Sequence, residues 1–123
     1  MKRFALLALV AGALSAGSAF AQNSEPSYKG DPDVYKVLFE DSNFRVIVGT
    51  RKAGQKDKPH AHPLPGIVYN VNDCKNKLYD PDGKTAIRDN KAGTASATPI
   101  TASHQTENMG TTDCVQVFVE KKQ

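Results

Sequence analysis

From residue 34 onward, hydrophobic and polar residues alternate with a period of two along most of the chain. "VYKVLFE" (34–40) and "NFRVIVGTR" (43–51) are rich in β-branched and aromatic residues and flank the turn-like "DSN". In the second segment Phe44, Val46 and Val48 share one face, while Arg45 and Arg51 share the other. The apolar face is expected to enter the core and both arginines to meet solvent. "GIVYNVND" (66–73) sets Ile67, Tyr69 and Val71 opposite Asn70 and Asn72, which predicts an inward Tyr69. "YDPDGK" is a strong turn between two strands, and "TAIRD", "TPITA", "HQTENM" and "CVQVFVE" continue the series. In the last of these Val115, Val117 and Val119 are the expected inward stripe. Short strands divided by turn signals predict an all-β sandwich or barrel.

The first 21 residues break this pattern. Lys2 and Arg3 precede an apolar run from Phe4 to Leu14, and small residues lead to Ala19-Phe20-Ala21. This is the layout of a secretory signal peptide cut before Gln22, and the apolar run is too short for a spanning helix. The predicted organisation is a signal peptide over 1–21, a loose polar arm over 22–33 and one β-domain over 34–120, with a periplasmic or secreted location. No second apolar run suggests a membrane span in the mature chain. That chain carries fourteen basic and thirteen acidic residues, and a near-neutral balance without a basic block offers no footprint for nucleic acid. Its two cysteines, Cys74 and Cys114, suit one disulfide in an exported protein, with two free buried thiols as the alternative.

The chain has three histidines, and two of them stand one residue apart in "KPHAHPLPG". On a strand, His60 and His62 present both imidazoles to one side, and imidazole is a good ligand for Fe, Zn, Cu or Ni. An H-x-H pair alone is weak evidence. The surrounding spacing strengthens it. Gly54, His60 and His62 form G-x5-H-x-H, and Gly93, Pro99, Thr101, His104 and Asn108 form G-x5-P-x-T-x2-H-x3-N. These two blocks resemble the paired motifs of the cupin superfamily, over roughly residues 34 to 120. The resemblance implies an all-β, cupin-type double-stranded β-helix (jelly-roll) barrel in which His60, His62 and His104 converge on one metal.

Two departures from the family pattern stand out. The glutamate that usually follows the second histidine after three or four intervening residues is missing, its places being Gly66 and Ile67, and Thr101 stands where a glycine is usual. Glu107 is not a substitute ligand, because His104, Thr106 and Asn108 share a strand face that Glu107 does not. The missing carboxylate leaves either a degenerate, metal-free barrel or a three-histidine site like that of some iron-dependent thiol and diketone dioxygenases. An all-neutral ligand set keeps the full charge of a divalent ion and leaves positions open, which favours a small anionic, chelating ligand. Tyr69 is the candidate hydroxyl beside the metal, with a simple core tyrosine as the alternative.

Three functional classes follow. One is a metal-dependent, dioxygenase-like enzyme with Fe(II), as the resemblance implies. Zn, Cu, Mn or Ni are alternatives, and an exported site meets copper and zinc, which bind such ligands more tightly than iron. The second is a non-catalytic metal- or ligand-binding barrel; the third is a structural barrel held by Cys74–Cys114. Homodimerisation is an expectation from the resemblance alone.

Overall fold

A computed structural model describes residues 23–123. The leader expected over 1–21 and its cleavage point before Gln22 lie outside the described residues. The first element is a single helical turn, α1 (Ser27–Gly30). Nine strands follow: β1 (Tyr35–Glu40), β2 (Phe44–Arg51), β3 (His60–His62), β4 (Gly66–Asn70), β5 (Cys74–Tyr79), β6 (Thr85–Asn90), β7 (Ala95–Thr98), β8 (Thr101–Asn108) and β9 (Cys114–Lys121). They form an antiparallel five-stranded sheet in the order β1-β2-β9-β4-β7 and a four-stranded sheet in the order β3-β8-β5-β6. "TPITA" is not one strand: it is interrupted at Pro99 and Ile100, between β7 and β8.

The all-β expectation holds, but the face assignment is reversed in the five-stranded sheet. Ile47, Gly49 and Arg51 of β2 point inward and are buried, as are Cys114, Gln116, Phe118 and Glu120 of β9. Arg51, expected in solvent, is 1% exposed. Arg45 is half-buried and pairs with both Glu40 and Glu120 at 2.9 Å. On β4 the buried residue is Asn70, and Tyr69 is 44% exposed, so it is not a hydroxyl beside a metal. The stripe Val115, Val117 and Val119 lies on the outer face beside Val46, Val48, Ile67 and Tyr69. Alternation identifies two faces without saying which is inner. Here the inner one carries Arg51, Asn70, Gln116 and Glu120 beside Ile47 and Phe118 because it surrounds a cavity, and the valine stripe lies outside.

The apolar core is correspondingly small: Val34, Tyr35, Ile47 and Phe118, with Tyr28 and Val68 against it. Burying such side chains contributes roughly 1.5–3 kcal/mol each. Much of the remaining tertiary cohesion comes from covalent and polar links. Cys74 at the start of β5 is bonded to Cys114 at the start of β9, with Cα atoms 5.2 Å apart, so the disulfide joins the two sheets. The described part of the arm, expected to be loose, is held against the barrel. Ser24 N–H donates to the Ala102 carbonyl at 3.0 Å, Ala61 N–H donates to that of Glu25 at 2.8 Å, and Ser27 and Asp31 are buried.

Candidate metal centre

Two strands, β3 from the first motif block and β8 from the second, build the site. Gly54 and Gly93 have φ of +73° and +75°, a left-handed conformation that other residues adopt only with strain, and they turn the chain ahead of each block. The short β3 then pairs with β8 so that His60 lies directly across from His104, with His62 opposite Thr101 after a register shift. Asn108 closes the second block as a loop clamp. Its amide Nδ2 donates to the carbonyls of Arg51, Lys52 and Thr112 at 2.8–3.2 Å, and its Oδ1 accepts from Gly110 N–H at 2.9 Å.

All three histidines predicted from the sequence meet. Their ligand nitrogens lie within 4.8 Å of one another, and the His60 and His104 Nε2 atoms are 3.0 Å apart. Two imidazoles bound to one ion through ~2.1 Å bonds take a spacing of about 3 Å, so this pair already has it. His60 Nδ1–H donates to the Lys58 carbonyl at 2.9 Å, which fixes the tautomer and leaves Nε2 as the free lone pair. Burial lowers His60 and His104 to about 4 and His62 to about 3, so all three are neutral, ligand-competent imidazoles at ordinary pH. His62 Nδ1 is buried with no hydrogen-bond partner. A cluster of neutral nitrogen donors with an orphaned buried atom fits a divalent transition metal; no carboxylate joins it.

The fourth-ligand position is closed by the backbone. A Cβ on Gly66 would sit 2.2 Å from the Val119 carbonyl oxygen, and Ile67 points out of the barrel at 49% exposure. Glu107 accepts a hydrogen bond from the Tyr79 hydroxyl, away from the histidines.

Behind the triad lies a buried network that the sequence pattern did not reveal. Tyr35, not Tyr69, is the tyrosine at the site, with its hydroxyl 3.3 Å from His60 Nε2. That hydroxyl donates to Asp57 Oδ2 and accepts from Arg51 Nη1, both at 2.7 Å. Asp57 Oδ1 accepts from Thr106 N–H at 2.6 Å, and Arg51 Nη2 donates to Gln116 Oε1. Burial raises both the Tyr35 hydroxyl and the Asp57 carboxyl above their ordinary ranges, so Tyr35 remains a proton-bearing donor. The only sequence signal for Tyr35 is its place at the start of a β-rich run, which is too common to single it out.

His62 and His104 line a cavity of about 470 Å³ between the sheets, with Tyr35 and Arg51 on one wall and Asn76 and Arg88 on another. His60, with no exposure, lies behind them.

No family profile matches the chain, and no curated protein matches it in sequence. Solved structures do match it in shape. A cupin domain from Bordetella pertussis Tohama I superposes with a TM-score of 0.68 at 20% identity, over 80% of this chain and 97% of that one. An RmlC-like cupin family protein with a double-stranded β-helix fold, from Methanocaldococcus jannaschii, gives 0.57 at 12% identity over 72% and 78%. The polyketide cyclase RemF of Streptomyces resistomycificus gives 0.56 at 19% identity over 80% and 70%. Strand order, paired motif blocks and these likenesses agree: the chain has the cupin fold, a double-stranded β-helix.

Proposed function

We propose that this chain is an exported cupin that holds a divalent transition metal on His60, His62 and His104 and leaves part of the coordination sphere open to a small anionic ligand. The observation that carries this reading is the convergence of three neutral imidazoles, two of them on the wall of a cavity that also presents Arg88. The signal-like first 21 residues support export, as does a Cys74–Cys114 bond, which persists in oxidising compartments. A divalent ion here would supply Lewis acidity and, if it is iron, redox chemistry toward dioxygen. The protein's own part is to keep the imidazoles neutral and oriented, through Lys58 for His60 and through the Tyr35–Asp57–Arg51 network behind it.

Two uses of such a site compete: dioxygenase-like turnover, and binding without turnover. No Asp or Glu is among the described residues lining the cavity, so general-base chemistry has no carboxylate to use. This favours binding, or a reaction that the metal itself carries. Titration of Fe(II), Zn(II), Cu(II), Mn(II) and Ni(II) into the chelator-treated protein tests the first claim, followed by titration of oxalate. One metal per chain, lost in the His60→Ala/His62→Ala/His104→Ala variant, is expected, with oxalate bound only after metal. No metal bound by the wild type would end the reading. Oxygen uptake with thiol and diketone substrates then separates enzyme from binder.

A second copy of this chain is the proposed partner, and the outer face of the five-stranded sheet is the observation behind it. Phe39, Phe44, Ile67, Tyr69 and Val71 are each 44–52% exposed around the half-buried valines of β2 and β9. Side chains of this size leave roughly 450 Å² in water between them, about the apolar centre of an interface that buries ~800 Å² per partner. Light scattering should give a dimer for the wild type and a monomer for Val117→Lys. A monomeric wild type at crystallisation concentrations would count against it.

A further inference from the structure

The cavity beside the histidines has a second pole. Three arginines fall within the described residues, and two of them are committed. Arg45 holds Glu40 and Glu120, and Arg51 holds Tyr35, Asp57 and Gln116. Arg88 is different. It lies on β6 directly across from Asn76 of β5, on the face that lines the cavity, and among the described residues it makes no ion pair or side-chain hydrogen bond. An exposed cation on a strand is ordinary; an uncommitted one sharing a cavity with a metal-type cluster is less so.

A second observation on the same wall points to a ligand. Asn76 is 2% exposed, and its Oδ1 is buried without a hydrogen-bond partner. Thr98 Oγ1, on the opposite sheet but lining the same cavity, is also buried and unpartnered. Buried polar atoms are satisfied in nine cases of ten or more, so orphans on residues that line a cavity leave a polar wall the protein does not complete by itself. Asn76 makes no side-chain hydrogen bond among the described residues, so its amide Nδ2–H is left to donate beside Arg88. Arg88 only donates, in a fork matched to a carboxylate.

We propose that the cavity takes a small hydroxylated dicarboxylate, with one end at the histidine centre and the far carboxylate on Arg88, beside Asn76. This rests on the metal reading above and narrows it from a small anion to a two-ended one. The histidine end receives a chelating hydroxycarboxylate; the Arg88 end distinguishes a molecule with a second carboxylate from one that ends in an alkyl group. Leu78 and Val68, which also line the cavity, suit the carbon backbone between the two ends. Arg88 acts as a specificity residue, and it touches the ligand rather than the metal.

The matched probes are malate and 2-hydroxybutyrate, which share an α-hydroxycarboxylate head and differ in a carboxylate against a methyl at the tail. Binding is measured by calorimetry on metal-loaded wild type, Arg88→Gln, Arg88→Lys and Lys75→Gln. Lys75 is an exposed cation on the opposite face of the same sheet and controls for net charge. Malate is expected to bind wild type about tenfold more tightly than 2-hydroxybutyrate, the increment of one charge-assisted contact. Arg88→Gln should remove that advantage and leave 2-hydroxybutyrate unchanged, with Arg88→Lys intermediate and Lys75→Gln like wild type. Equal affinities in the wild type, or an equal loss of both acids in Arg88→Gln, would overturn the proposal, as would a malate loss in Lys75→Gln matching that in Arg88→Gln. Metal content measured on each sample separates this failure from failure of the metal site: a protein that holds metal yet ignores the tail refutes the Arg88 pole alone.

Discussion

Replacing Arg51 with Met leaves a buried carboxylate without its cation. Arg51 is 1% exposed, and its Nη1 lies 2.7 Å from the Tyr35 hydroxyl and 3.5 Å from Asp57 Oδ2. Met fills most of the volume, so the change is chiefly electrostatic. Asp57 is buried; it would retain Thr106 N–H and Tyr35 O–H as donors and lose the guanidinium beside it. Gln116 Oε1 loses its donor as well. Breaking a buried pair by removing one partner costs about 3–5 kcal/mol, which for a domain of this size lowers Tm by roughly 15–25 °C. The sign of the pH dependence follows from the same geometry. Without Arg51, burial raises Asp57 further, so the folded state holds its proton more tightly than the unfolded chain. Stability then falls as pH rises above the unfolded carboxylate range, and the cost of the substitution is smaller at pH 5 than at pH 8. Urea unfolding of chelator-treated wild type and Arg51→Met, disulfide intact, reads both quantities. A loss below about 1 kcal/mol, the range of an exposed ion pair, would refute the buried-network account. So would a loss of full size that is the same at both pH values, since Asp57 would then not be the group that bears it.

Three further outcomes follow from the described geometry. Cys114→Ser, or reduction, should lower stability by roughly 4 kcal/mol, the chain-entropy value for the 40-residue separation, with metal stoichiometry unchanged; metal lost along with the bond would contradict it. Gly66→Ala should destabilise far more than an ordinary strand substitution, because its Cβ meets the Val119 backbone at 2.2 Å; a Tm within a few degrees of wild type would show that β4 and β9 are not so closely apposed. In the metal-free protein the folded histidines titrate at about 4, 3 and 4 while the unfolded chain titrates near 6.5, so stability should drop as pH falls from 6.5 towards 4, and a urea midpoint constant across that window would be inconsistent with their burial.

The histidine cluster was readable in the chain because its determinants are local and rare. Two left-handed glycines and three histidines at set spacing leave few arrangements, and β3 and β8 realise one in which His60 and His104 pair directly. Face polarity was not readable in the same way. Residues i and i+2 share a side whatever that side meets, and the usual rule sends the apolar side inward. A barrel that encloses a polar cavity reverses the rule: Gln116, Arg51 and Asn70 go in while Val117, Val48 and Tyr69 stay out. Mistaking Tyr69 for the tyrosine at the site is one consequence of that reversal. The Tyr35–Asp57–Arg51 network was not legible, and Arg51 reads as a solvent residue, because its three members lie 6 to 22 residues apart and meet only when the sheets close.

The most direct measurement is an anomalous difference map from crystals of the metal-loaded protein, collected at the absorption edge of the bound ion. One peak per chain, about 2.1 Å from a nitrogen of each of His60, His62 and His104 and open toward the Arg88 side of the cavity, is the expected result. A peak bound elsewhere, or none at the histidines under loading that saturates the protein in solution, would contradict the three-histidine centre.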